Sequence, residues 1–330
     1  MKDNLSAKSA TGIGDIHQET IPILNSTKIR LTAYISPAGN DSPDQRKPAI
    51  LILPGGAFLF CAPSEGEPVA MRFLEQGYQA FVLEYTTYRS NRNNKEFMPQ
   101  LCEIAECLSI IHTRAEEWML NPSRLCLMGF SAGANLAACY STYWKETFIA
   151  EQHSNRVRRS GRRLFNRDDS INKNRNNGIY WDGMPIPVKA VVLSYPVLDR
   201  PDNDRWAAEL QSNISLSDEE KTSRKKFKNR SNRTLLGTDE PDEDILRRAS
   251  ALYHLNPDVP PTFIWHTAED EMVHPVQSMK YAEGLYSLGI SCELHVFDKG
   301  PHALALADDE TAAAHPWMML VLRWLDRNLK

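Results

Sequence analysis

Three groups of residues in this sequence could together carry out acyl transfer. The first is Gly129-Phe130-Ser131-Ala132-Gly133, a G-x-S-x-G pentapeptide. An apolar run, 125–128, leads into it, and the alanine-rich stretch 132–143 leads out. That strand, sharp turn and helix context makes the pentapeptide a nucleophile elbow. The glycines follow from the geometry, because side chains two before and two after the serine would collide with neighbouring backbone. The hydroxyl then stands at a helix start, where the dipole and free N–H groups favour developing negative charge.

A serine hydroxyl is a poor nucleophile near neutral pH and needs a base, itself held by a third group. Of nine histidines, His302 is the candidate base, in the helix- and strand-breaking loop Asp298-Lys299-Gly300-Pro301-His302-Ala303. The acid is expected after the apolar run Thr262-Phe263-Ile264-Trp265-His266, within Ala268-Glu269-Asp270-Glu271. Asp270 is the choice, with Glu269 and Glu271 as competitors, since one residue of loop slip would exchange them. Asp298 stands too near His302 in sequence to serve it. His266 and His274 read as structural or rim residues, because no second cluster with zinc-ligand spacing accompanies them, and no metal is expected. The tetrahedral intermediate would need preplaced N–H donors, each worth roughly 3 kcal/mol of barrier. Ala132 should supply one, and the loop Gly55-Gly56-Ala57 the others.

These groups must be positioned by surrounding elements. Residues 48–53 form a continuous apolar run, which suits a strand buried on both faces of a mostly parallel sheet. Further strands are expected at 28–36 (an edge strand), 78–85, 125–128, 189–195, 262–266 and 292–297. Helices are expected at 65–76 (stopped by Gly77), 96–119, 132–143, 276–288 and 317–329, with Asn121-Pro122-Ser123 as a turn. The alternation predicts an α/β fold with a doubly wound parallel sheet. Residues 1–20 are polar and expected to be mobile. Two polar stretches interrupt the pattern. Residues 151–183 carry eight Arg or Lys between Arg156 and Arg175 and read as a surface insertion with little intrinsic order. Residues 201–244, with the basic cluster Arg224 to Arg233, read by position as a lid or cap.

The whole chain bounds these readings. Its 330 residues, 42% hydrophobic, suffice for a single large domain spanning 1–330. A net charge of −4 gives no polyanion-binding signature, so no nucleic-acid partner is expected. Six cysteines without a C-x-x-C pair read as free thiols. No apolar stretch reaches transmembrane length and the N-terminus lacks an apolar core, so a cytoplasmic protein with no membrane partner is expected.

Taken together, Leu53-Pro54-Gly55-Gly56-Ala57-Phe58, Glu65-Gly66-Glu67-Pro68-Val69-Ala70, Met128-Gly129-Phe130-Ser131-Ala132-Gly133, Trp265-His266-Thr267-Ala268-Glu269-Asp270 and Lys299-Gly300-Pro301-His302 resemble the α/β-hydrolase superfamily. The likeness is to its hormone-sensitive-lipase-like and acetyl xylan or feruloyl esterase branch. The sequence departs from that branch at Ala134-Asn135, where Gly-His is common, and at Thr86, where Arg is common. The resemblance implies triad roles for Ser131, Asp270 and His302 and oxyanion roles for Gly56, Ala57 and Ala132. It implies a cofactor-independent serine esterase acting through an acyl-enzyme on short acyl esters, such as acetylated carbohydrate. A peptidase or amidase of the same fold and a non-catalytic ligand-binding protein are the alternatives. Phe58, Phe60 and Tyr85 could line an acyl pocket or belong to the core.

Overall fold

Apolar continuity decides the centre of the sheet. In a computed structural model, residues 16–37, 46–159, 163–165, 178–180, 186–212, 217–309 and 312–330 are described. The strands are β1 (His17–Pro22), β2 (Arg30–Ile35), β3 (Lys47–Leu53), β4 (Gln79–Glu84), β5 (Leu120–Phe130), β6 (Arg163–Phe165), β7 (Gly178–Tyr180), β8 (Ala190–Ser194), β9 (Thr262–Thr267) and β10 (Cys292–Phe297). Eight of them form one sheet in the order β1-β2-β4-β3-β5-β8-β9-β10, while β6 and β7 pair separately. β1 and β2 run antiparallel to their neighbours, and the rest of the large sheet is parallel.

The helices are α1 (Glu67–Glu75), α2 (Pro99–Thr113), α3 (Ala132–Tyr143), α4 (Thr147–Arg159), α5 (Arg200–Ser212), α6 (Asp218–Leu236), α7 (Glu243–Arg248), α8 (Val276–Ser287) and α9 (Trp317–Asn328). Successive residues of β3 point to opposite faces, and each face has its own core. Ala49, Leu51 and Leu53 pack with Leu101, Ile104 and Leu108 of α2, Leu136 of α3 and Leu285 of α8. Ile50 and Ile52 pack with Val69 and Phe73 of α1 and Trp317, Val321 and Trp324 of α9. Helices therefore cover both faces, and each fully buried Leu or Ile contributes roughly 1.5–3 kcal/mol.

Three sequence expectations are corrected here. The edge strand is β1, not 28–36: residues 17–22 alternate between exposed and half-buried positions, while β2 lies between β1 and β4. The remainder of the 1–20 segment, residues 1–15, lies outside the described residues. The helix expected over 96–119 is only α2, Pro99–Thr113. Met98 sits in a left-handed conformation just before Pro99 and prevents an earlier start. Asn121-Pro122-Ser123 falls within β5, where the Ser123 N–H donates to Asn121 Oδ1 and the pairing with β3 shifts register.

Within 151–183, the described residues 151–159 continue α4, and most of the rest lies outside the described residues. α4 packs on α2 through a fully buried His153–Glu106 contact of 2.8 Å and through Arg156, which bonds Glu103 and Glu96. Thr86 also uses Glu103, donating to it from both its N–H and its hydroxyl. Two helices, α5 and α6, occupy most of 201–244. Serine at the start of α6 explains its onset, because Ser217 and Glu220 form a reciprocal capping box. Among the described residues, no helix is long and apolar enough to cross a membrane.

Candidate active site

Ser131 stands between the end of β5 and the start of α3 with φ 49° and ψ −112°. Such a backbone costs of order 1–3 kcal/mol and persists only when its surroundings enforce it. Here they do. A Cβ on Gly133 would lie 2.0 Å from the Leu53 carbonyl oxygen, and one on Gly129 would lie 2.3 Å from that of Gly133. Only hydrogen at both positions lets α3 approach the ends of β3 and β5 this closely. The Ser131 N–H donates to the Ser194 carbonyl at 2.9 Å, tying the turn to β8.

The sheet then brings together residues far apart in sequence. β9 carries Asp270 on the turn after its end, and β10 carries His302 on the loop beyond it. His302 Nε2 lies 2.8 Å from Ser131 Oγ, and His302 Nδ1 lies 2.6 Å from Asp270 Oδ2. Nδ1 faces a carboxylate and so carries the proton, which leaves Nε2 free to accept from the serine hydroxyl. Asp270 is 1% exposed, whereas Glu269 and Glu271 are exposed. Glu269 instead accepts the Gly300 N–H and steadies the histidine loop. The competition among the three acids is thus resolved by burial and distance. Asp298 is exposed.

Burial pushes the Asp270 carboxyl up, but hydrogen bonds from His266 and His302 outweigh it and hold the group well below its ordinary range. The second donor is a residue to which sequence reasoning gave no catalytic contact. His266 Nε2 lies 3.0 Å from Asp270 Oδ2 and 3.2 Å from the Val273 carbonyl, and its Nδ1 lies 2.8 Å from Ser278 Oγ. Two acceptors at Nε2 require the proton there. The other oxygen, Oδ1, accepts the N–H groups of Met272 and Val273. All the lone pairs facing protein are therefore used, and the carboxylate is fixed. His274 is half-buried, bonded to Asp202 and stacked on Trp206.

The loop after β3 approaches the serine directly: a Cβ on Gly55 would lie 3.1 Å from Ser131 Cβ. Gly56 has φ +116°, and Ala57 and Phe58 also have positive φ. Tyr85 Oη donates to the Pro54 carbonyl at 2.6 Å, and the Tyr88 N–H to that of Phe58 at 2.8 Å. Gly55 departs from the sequence expectation of an oxyanion donor, because its N–H donates to Glu65 Oε2 at 2.6 Å and is already used. The N–H groups of Gly56, Ala57 and Ala132 find no acceptor among the described residues.

Glu65 is 2% exposed and anchors this loop from behind. Its other oxygen accepts Tyr195 Oη at 2.7 Å, and Tyr195 Oη in turn accepts the Ala305 N–H from the histidine loop. The Tyr195 ring packs edge-on to His302 at 4.9 Å. Burial raises the Glu65 carboxyl above its ordinary value, and the Tyr195 and Gly55 donors partly offset this. Glu65 and Tyr195 thus connect the loop after β3 with the loop that holds His302. The fragment Glu65-Gly66-Glu67 was legible as part of the family likeness, but its partner lies 130 residues away.

Phe58 and Tyr85 are core residues, at 2% and 1% exposure, whereas Phe60 is exposed. Asn135 is buried and its Nδ2 donates to the Val197 and Ala249 carbonyls, so the departure there bonds backbone after β8 and α7 to α3. Among the described residues, no three His, Cys, Asp or Glu side chains converge as a metal-binding group. All six cysteines are free.

Residues 37–285 match the BD-FAE family, a stretch that includes Ser131 and Asp270 and stops short of His302. The chain is 28% identical over 267 residues to endo-1,4-beta-xylanase B of Butyrivibrio fibrisolvens, covering 81% of this chain. It spans 34% of that protein's length. An acetyl ester-xyloside bifunctional hydrolase from Caldicellulosiruptor lactoaceticus superimposes with TM-score 0.64 and 25% identity, over 91% of this chain and 88% of that one. A sugar hydrolase from Lactococcus lactis superimposes with TM-score 0.64 and 26% identity, over 95% of this chain and 100% of that one. With three quarters of its length matched, a mostly parallel eight-stranded sheet and a serine on a strained strand–helix turn, the chain belongs to the BD-FAE family of α/β-hydrolase esterases.

Proposed function

We propose that this chain hydrolyses short acyl esters of carbohydrates through an acyl-enzyme on Ser131. The observation that carries this reading is the unbroken hydrogen-bond chain from Ser131 through His302 to Asp270, beside a loop with unengaged N–H groups. As substrate carbonyl carbon meets Ser131 Oγ, His302 Nε2 takes the hydroxyl proton and Asp270 stabilises the imidazolium. The oxyanion is held by the N–H groups of Gly56, Ala57 and Ala132, in a role for which Gly55 is not available. His302 then gives its proton to the departing alcohol oxygen. Water, deprotonated by the same nitrogen, hydrolyses the acyl-enzyme and frees Ser131.

The relatives support a carbohydrate ester as substrate. One is named as acting on acetyl esters and xylosides, and another is a xylanase of which this chain spans only a part. We assign α5 and α6 the part of a cap, because α6 contributes Arg230 to the cleft beside the loop after β3. The six unpaired thiols are consistent with a reducing, cytoplasmic setting.

The test is hydrolysis of p-nitrophenyl esters from acetate to dodecanoate, with Ser131→Ala as control. Turnover of the short esters, lost by a factor of roughly 10⁴ or more in the variant, is expected. Equal and negligible rates for both folded proteins would refute it.

A further inference from the structure

A cleft of about 370 Å³ opens next to the loop after β3, lined by Leu59, Phe60, Tyr88, Arg89, Arg92 and Arg230. Ser131 does not line it, but the two are joined through one turn of backbone. A Cβ on Gly55 would lie 3.1 Å from Ser131 Cβ, and one on Gly56 would lie 2.2 Å from the Phe60 carbonyl oxygen. The loop after β4 is fastened to the same turn, through the Tyr88 N–H on the Phe58 carbonyl and the Arg89 N–H on the Leu59 carbonyl. The cleft is thus a continuation of the catalytic loop.

Its charge is one-sided. Arg89, Arg92 and Arg230 come from two separate segments and converge on one opening, and none has a carboxylate partner among the described residues. Acids flanking these segments in the chain, and Asp204 on α5, are paired with other cations: Glu84 with Arg30, Glu96 with Arg156, Asp204 with Lys228, Asp239 with Arg233 and Glu240 with Lys225. Two of the arginines rest on aromatic rings, Arg89 at 5.0 Å from Phe60 and Arg230 at 5.3 Å from Tyr88. Stacking holds a guanidinium plane while leaving its N–H edge open to a ligand. Phe60, although Arg89 lies over its ring, remains 36% exposed and gives apolar surface that a sugar ring can meet beside the guanidinium.

We propose that this cleft is a subsite for an anionic sugar, and that the preferred substrate is an acylated oligosaccharide carrying a carboxylate or sulfate on a ring near the scissile ester. The inference rests on the esterase reading above and specifies its substrate. Guanidinium N–H groups from Arg89, Arg92 and Arg230 donate charge-assisted hydrogen bonds to the anion, while the ring packs on Phe60. The subsite acts in binding and lies outside the hydrogen-bond chain of Ser131, so it moves KM more than kcat.

The experiment compares kcat/KM on three O-acetylated oligosaccharides of equal length: one bearing a glucuronate, one bearing a sulfate, and the carboxyl-reduced neutral counterpart. Wild type, Arg89→Ala, Arg230→Ala and the double variant are measured, with p-nitrophenyl acetate as a reference in each. The proposal expects wild type to favour an acidic substrate over the neutral one by roughly tenfold or more, mostly in KM, with the preference weakening as salt rises. Which acidic substrate ranks first decides between carboxylate and sulfate. Arg89→Ala and Arg230→Ala should each lose most of the preference while hydrolysing p-nitrophenyl acetate at the wild-type rate. Equal kcat/KM on all three sugars in wild type, or a preference that survives in the double variant, would overturn the subsite. Loss of p-nitrophenyl acetate hydrolysis in wild type would instead overturn the esterase reading on which it rests.

Discussion

Replacing Glu65 should damage catalysis without touching the triad. Its carboxylate accepts the Gly55 N–H at 2.6 Å and Tyr195 Oη at 2.7 Å, in a site 2% exposed. Glu65→Ala leaves two buried donors without an acceptor, at about 1–3 kcal/mol each. It also frees the turn at Gly55, whose successors Gly56 and Ala57 aim their N–H groups at the proposed oxyanion. A misaimed oxyanion donor costs roughly 3 kcal/mol of barrier, so kcat should fall about 100-fold with a smaller change in KM. Thermal unfolding should shift down by several degrees, on the order of 2 °C per kcal/mol lost. Glu65→Gln keeps an oxygen for Gly55 and loses only the geometry at Tyr195, so kcat should stay within about tenfold of wild type. The assay is steady-state hydrolysis of p-nitrophenyl acetate, paired with a melting curve. A kcat for Glu65→Ala within twofold of wild type, at an unchanged Tm, would refute the reasoning. The pH dependence offers an independent check. Burial raises the folded pKa of Glu65 above its ordinary 4.5, so its contribution to stability is full below that pH and declines as pH rises through the folded value. Glu65→Gln should remove that decline.

Other expectations follow from the same contacts. Asp270→Asn should lower kcat by about 10⁴, because the amide stabilises the wrong His302 tautomer. It should also flatten the acid limb of stability, since the depressed Asp270 pKa gives a contribution present above the ordinary 3.8 and lost as pH falls through the folded value. His266→Ala removes one of two donors to Asp270 Oδ2, and kcat should drop roughly tenfold with KM retained, read in the same ester assay. Gly133→Ala should cripple folding, because its Cβ would sit 2.0 Å from the Leu53 carbonyl oxygen. A Tm drop or insoluble expression would show it, and a native melting curve would contradict it.

The local features of this protein are readable from neighbouring residues alone. The elbow at Ser131 was legible because glycine spacing, an apolar run and an alanine-rich exit all describe one short stretch of backbone. The expected helix 132–143 and strand 292–297 coincide with α3 and β10, since both rest on periodicity and on bounding turns. Tertiary structure decided whatever depended on partners distant in the chain. Only burial and the 2.6 Å approach to His302 distinguished Asp270 from Glu269 and Glu271, which stand beside it with the same chemistry. Only the approach of Glu65 showed that the Gly55 N–H is engaged, and only β2 gave the polar segment 17–22 a place as the edge strand. His266 looked like any strand-end histidine until the fold set its Nε2 against Asp270. The convergence of Arg89, Arg92 and Arg230 is of the same kind, because α6 and the loop after β4 meet only once the sheet is assembled. Local backbone preference is written in neighbouring residues, whereas the partner of a buried polar group is chosen by whichever distant segment the packed core brings within hydrogen-bond reach.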